Sequence, residues 1–192
     1  MQLYLDTTMK KEIALALTLI TLAISTRLLP HWPNFTALGA AALFSGAFYK
    51  RKSLAYIIPL AALFLSDLII NNVIYGAFYP GFQFLSEGFY FMYLGIILTV
   101  LVGRYAAISK GKPLNLALAA LSSSLLFYFI TNFGAWLGNP VYPQNFLGLV
   151  SSYFAGLPFL INGSAASIIY AFGIFGAYWY FSKDSAFSMK SV

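Results

Sequence analysis

Six long apolar runs, separated by short basic or turn-rich segments, set the pattern of this chain: residues 13–29, 35–49, 54–74, 89–102, 116–133 and 159–181. A helix rises about 1.5 Å per residue, so a hydrocarbon layer of about 30 Å takes about 20 residues, with about 17 as a lower limit. Four of the runs reach that length. The run at 35–49 is short and is predicted either to lengthen into the flanking Pro33-Asn34-Phe35 or to cross where neighbouring helices cover its ends. The run at 89–102 gains length through Gly103-Arg104-Tyr105, giving 89–105. A seventh apolar piece, residues 146–157, is too short to cross and is followed by Pro158. It is predicted to be a re-entrant or interfacial segment ahead of the last helix. The expected fold is an all-α integral membrane protein, one transmembrane domain over residues 1–192 with six transmembrane helices.

The positions of the cations test that count independently, because Lys and Arg in short loops stay on the cytoplasmic side. Lys10 and Lys11 precede the first run and Lys50, Arg51 and Lys52 follow the second. Arg104, Lys110 and Lys112 follow the fourth, and Lys183 and Lys190 follow the sixth. Six spans put all of these on one side, with Arg27 alone near the other, and make both termini cytoplasmic in a bacterial inner membrane. The net charge of +6 then reports topology and attraction to the bilayer surface, with no need for nucleic acid as a partner. Lys10-Lys11, an apolar run and Ala23-Ile24-Ser25 also have the outline of a signal peptide, but Glu12 in the charged region favours a retained helix.

Composition agrees with lipid as the solvent. Hydrophobic residues make up 60% and charged residues 8% of the 192, against about 25% charged in a soluble domain, and the mean hydropathy is +0.79. With no cysteine, thiolate nucleophiles, disulfides and Cys-based metal centres are excluded. There is also no Gly-x-Ser-x-Gly, His-Glu-x-x-His or phosphate-binding loop, and no pair of intramembrane carboxylates, so the expectation is a protein that is not an enzyme.

The external loops carry the candidate chemistry. Residues 30–34, 71–89 and 134–145 are rich in aromatics, Asn, Pro and Gly and almost uncharged, the composition of a pocket for a neutral, sizeable ligand. An aromatic belt at the interface is the plainer reading, but a belt marks both faces and the basic loops lack Trp. His31 and Trp32 lie between Pro30 and Pro33, next to Asn34. Asn71, Asn132, Trp136 at i+4 from Asn132, Tyr142 and Asn162 complete the candidate ligand-binding set. Side-chain amides both donate and accept, which suits a ligand with amide or carbonyl groups at its edge.

Asp67 is the acidic residue inside a span, about 20 Å along its helix from Leu54. Leaving it in lipid would cost about 2.5 to 3.5 kcal/mol on insertion scales, so it is expected to pair with Arg27, tying the first and third helices together. That pair is expected to be structural in the first place. A lone imidazole cannot build a protein-only metal site, yet His31 could supply one axial nitrogen to a metal carried by a macrocycle. Small residues at Ala37, Ala41 and Ser45, with Ala42 and Gly46 beside them, predict close helix approach or a docking face. Ala14, Thr18, Thr21 and Ser25 repeat the pattern in the first run.

Residues 27–47, from Arg27-Leu-Leu-Pro-His-Trp-Pro-Asn to Phe-Ser-Gly-Ala47, with Pro59-Leu-Ala-Ala-Leu-Phe-Leu-Ser-Asp67-Leu and Thr131-Asn-Phe-Gly-Ala-Trp136, look like a family of small bacterial six-helix membrane proteins. That family resembles the substrate-binding S components of energy-coupling factor transporters, and in particular solitary cobalamin transporters of the BtuM type. The resemblance covers roughly residues 20–180. It implies an S-component-like bundle with a vitamin pocket opening outward and roofed by the external loops. It further implies that His31 and its neighbours line a corrinoid cavity, with cobalamin or a related corrinoid as substrate rather than cofactor. Proteins of that type ligate cobalt through a cysteine thiolate, which this chain lacks, leaving His31 as the strong nitrogen donor.

The function expected from the sequence is therefore uptake of a vitamin-like small molecule, alone or with an ATP-driven energy-coupling module. The alternative is a non-transporting membrane scaffold or assembly protein whose external aromatic loops contact another protein. A transporter should hold a concave, polar-rimmed cavity under those loops. A scaffold should hold a filled core.

Overall fold

The computed structural model describes residues 2–182 apart from 87, 107 and 109–111, with side chains from residue 9 onward. Lys110, Lys183 and Lys190, three of the cations used to set the topology, lie outside the described residues. The described residues form six α-helices: α1 Gln2–Leu28, α2 Leu38–Phe48, α3 Lys52–Ile69, α4 Phe89–Tyr105, α5 Pro113–Trp136 and α6 Phe146–Ser182. A π-helical turn, Ile70–Ile74, continues α3 and leads into a 3-10 turn, Gly76–Phe78. Among the described residues, three helical segments are long and apolar enough to cross a membrane: Lys52–Ile74, Pro113–Trp136 and Phe146–Ser182. Helix α1 has the length, but Lys10, Lys11, Glu12 and Arg27 interrupt its apolar stretch, and α2 and α4 are shorter apolar helices.

Helix α2 is the centre of the molecule. It packs against each of the other five helices, and ten of its eleven residues are buried. Its small side chains make this possible. A Cβ on Gly46 would stand 2.1 Å from the Val100 carbonyl oxygen and one on Gly103 would stand 2.2 Å from that of Leu43, so the α2 and α4 backbones touch. Ala37, Ala41, Ala42 and Ser45 are buried against neighbours. This face is therefore internal packing and offers no docking surface. The matching residues of α1 differ, with Ala14, Thr18 and Thr21 exposed and Ser25 half-buried.

Two sequence expectations need correction. The short run at 35–49 does not lengthen at its start: α2 begins only at Leu38, because Asn34 takes a left-handed backbone conformation (φ 62°) and turns the chain. At about 16 Å this helix reaches half a hydrocarbon layer, and its ends are covered by the helices around it. The piece at 146–157 is not a separate re-entrant or interfacial segment. It forms one continuous 37-residue helix with the last run, and Pro158 lies inside it. Proline removes one helical hydrogen bond, and the turn before it is held from α5 instead. Tyr128 Oη donates to the Tyr153 carbonyl (2.6 Å), Tyr153 Oη to the Phe129 carbonyl (2.9 Å) and Ser152 Oγ to the Asn132 carbonyl (3.1 Å).

The C-terminal end of α2 sits in an aromatic cluster. Phe44 and Phe48 meet Phe175 and Tyr178 of α6 at ring-centroid distances of 4.3 to 5.6 Å, mostly edge-on or tilted, and Trp179 packs on Phe175. Near this end, Tyr49 Oη donates to the Glu12 carbonyl of α1 (3.0 Å).

Candidate functional site

At the other end of α2 the helices part around a cavity of about 480 Å³. Its walls come from five of the helices and from the π turn that continues α3. The end of α1 and the following loop contribute Arg27, His31, Asn34 and Thr36, and the first turn of α2 contributes Leu38 and Gly39. Ile70, Ile74 and Tyr75 come from the π turn, a feature often found at functional sites. Thr99 of α4, Ser123, Ser124, Thr131 and Asn132 of α5, and Gly163 and Ser167 of α6 line the remainder, with Ile96, Phe127, Tyr128, Phe159 and Leu160 as apolar wall.

The hydroxyls have a common geometry. Thr99 Oγ1 donates to the Gly95 carbonyl (2.9 Å), Ser123 Oγ to that of Ala120 (3.0 Å) and Thr131 Oγ1 to that of Phe127 (2.8 Å). Ser124 Oγ donates to Ser167 Oγ (2.8 Å), joining α5 to α6. The protons of Thr99, Ser123 and Thr131 are thus committed to their own helices, and their lone pairs remain as acceptors. Asn132 Nδ2 donates to the Tyr128 carbonyl (2.9 Å). Gly156 makes room for that amide, since a Cβ there would come within 2.1 Å of Asn132 Oδ1.

Arg27 is the one charged residue lining the cavity. Placed in the last turn of α1, where a cation is favoured by the helix dipole, it bonds through Nη2 to Asp67 Oδ1 of α3 (2.5 Å). Asp67 is 3% exposed and lies behind it, outside the cavity wall. The contact is single rather than bidentate: Arg27 Nε and Asp67 Oδ2 are buried without a partner, as is Tyr93 Oη. The pair ties α1 to α3 and presents its positive member to the cavity.

The sequence candidates divide into three groups. His31, Asn34 and Asn132 line the cavity together with Arg27. Asn71, Trp136 and Tyr142 fix loops: Asn71 exchanges hydrogen bonds with Ser86 (3.0 and 3.3 Å), Trp136 Nε1 donates to the Pro143 carbonyl (2.9 Å), and the Tyr142 carbonyl accepts from Gln144 Nε2 (3.0 Å). Trp32 is exposed, packed edge-on against Phe35 outside the cavity, and Asn162 is half-buried on α6 away from its lining.

His31 is exposed, with Nδ1 2.6 Å from the Trp32 carbonyl and Nε2 3.3 Å from that of Arg27. Carbonyls only accept, so an axial bond to a metal would require the ring to turn away from one of them. Among the described residues, no three His, Cys, Asp or Glu side chains come together as a metal site.

Sequence reasoning missed Thr99, Ser123, Ser124 and Thr131, and with them Asn72. The first four had a visible signal, a serine run and isolated threonines inside apolar helices. Asn72 clamps the loop before α4 by donating to the Gln83 carbonyl (2.8 Å) and accepting from the Gln83 backbone N–H (2.7 Å).

No curated protein and no solved structure matches the chain. A model of a protein family of unknown function, DUF6580, matches residues 7–189, and the chain belongs to that family.

Proposed function

We propose that this chain is a membrane-embedded binding component for the uptake of a vitamin-like small molecule. On this reading it is an S-component-like bundle whose six helices lie in the bacterial cytoplasmic membrane, with both termini inside and the cavity facing outward. The observation that carries the reading is the cavity itself. A space of about 480 Å³ falls in the range of sites for drug-sized ligands, and it combines apolar walls with a few convergent polar groups. A scaffold that used its outer loops only for protein contact would gain stability by filling such a space.

The chain carries no nucleotide-binding loop, so any coupling to ATP would come from a separate module. A corrinoid is larger than the cavity. It would seat with part of its ring among the loops near His31, whereas a smaller vitamin would fit within.

The test is purification from cells supplied with vitamins, followed by mass and absorption spectra of what stays bound. A retained small molecule that is lost in the cavity-filling variant Ser124→Phe is the expected result. A corrinoid spectrum lost in His31→Ala would assign the cargo to that class. Absence of any retained molecule, with Ser124→Phe indistinguishable from the parent, would contradict the proposal.

A further inference from the structure

We infer that the cavity takes a monocarboxylate, its acid group held by Arg27 and the first turn of α2. The inference rests on the binding reading above and names the ligand class for the same site.

Three features of the wall point to it. Among the described residues, Arg27 is the sole charged residue of the lining, and no Asp or Glu is part of it. Its partner Asp67 engages Nη2 alone, from behind, so the guanidinium is under-used by the pair. A guanidinium in a largely buried setting is the side chain best suited to a carboxylate, which it meets with two parallel hydrogen bonds.

The wall beside it is complementary. Leu38 and Gly39 of α2 line the cavity, and the helix begins there with no side-chain cap and no acidic residue in its first turn. The first backbone N–H groups of a helix have no partner within it and favour anions. Gly39 has no side chain to cover them.

The rest of the lining fits the other end of such a molecule. The hydroxyls of Thr99 and Ser123 give their protons to backbone carbonyls and keep their lone pairs, so they accept from N–H or O–H groups of a ligand. Phe127 and Phe159 supply flat apolar contact. The ligand is therefore an acid at one end with an apolar body and at least one donor at the other. Cavity volume limits it to one such molecule.

The experiment uses matched acids and amides, which share shape and differ in charge and carry a donor at the far end: 4-aminobenzoate with 4-aminobenzamide, 4-hydroxyphenylpropionate with 4-hydroxyphenylpropionamide, and biotin with biotinamide. Binding to the full chain in lipid nanodiscs is measured by isothermal titration at constant pH and salt. At least one acid is expected to bind about tenfold or more tightly than its amide. In Asp67→Asn, which removes the competing anion and keeps Arg27, that preference should widen, a result that a purely structural pair would not give. In Arg27→Gln it should vanish, and Arg27→Lys should restore part of it should the glutamine variant fail to fold.

Amides or other neutral molecules binding as well as the acids would overturn the inference and leave the binding reading standing. No binding by either series would overturn the inference, and together with the absence of any retained molecule on purification it would overturn the binding reading as well.

Discussion

Helix α2 ends in two different surroundings. Its last two turns present Phe44 and Phe48 to Phe175 and Tyr178, rings that interlock with no space between them. Its first turn, with Leu38 about 9 Å along the axis from Phe44, faces a cavity walled by hydroxyls, two asparagines and an arginine. One end of the bundle has spent its apolar side chains on packing, and the other has left them apart. A stable fold does not need the open end, which costs unfilled volume, so the difference between the two ends separates what holds the protein together from the site proposed to bind a ligand.

The sharpest way to break this picture is where α2 and α4 touch, in the last turn of α2. Gly46→Val places side-chain atoms into the Val100 carbonyl, which is backbone and cannot move aside. A loss above about 4 kcal/mol is expected, read as failure to elute as a single folded species in detergent. Normal folding of this variant would show that α2 and α4 do not touch.

Next is the packed end. Phe44→Ala should cost about 3 to 5 kcal/mol in thermal or denaturant unfolding, while ligand affinity of the folded fraction stays at the parent value because Phe44 is no part of the cavity. A parallel loss of affinity would mean that the two ends are coupled.

Asp67→Ala comes between the two regions. It leaves the guanidinium of Arg27 without its anion, and a loss of about 3 kcal/mol is expected, at the low end for broken buried pairs because Arg27 faces the cavity. Unchanged stability and binding would remove the pair from both roles. The smallest effect belongs to His31→Ala. The side chain is exposed, so stability should change by less than about 0.5 kcal/mol, and any larger change would show that its contacts to Trp32 and Arg27 anchor the loop.

The helices were legible in the sequence because apolar runs and their lengths are local properties. Each of the six predicted runs falls on a helix, the last as part of a longer one, and the Arg27–Asp67 contact followed from the cost of a lone carboxylate among apolar residues. What was not legible is tertiary. Pro158 is a helix breaker in isolation, yet α5 supplies hydrogen bonds around it that no local pattern encodes. The short α2 run resembles a truncated span, and only its neighbours make it a central helix.

The site divides the same way. Loop residues with obvious binding chemistry, Trp32, Asn71, Trp136 and Tyr142, turned out to pack outside the cavity or to tie their own loops. The wall was built instead from serines and threonines inside helices, whose spacing along the chain says nothing of which helix they will face. His31 and Asn132 reach the cavity because they sit where helices end.

The absence of cysteine from the chain allows the difference between the two ends to be measured directly. Single replacements Thr131→Cys and Ser124→Cys, in the cavity wall, and Ser45→Cys, fully buried in α2, would be exposed to a membrane-impermeant thiol reagent on cells. The two cavity cysteines should react from outside and be protected by bound ligand, with Ser45→Cys inert. Equal protection of all three, or reaction only from the cytoplasmic side, would contradict an outward-facing cavity over a packed base.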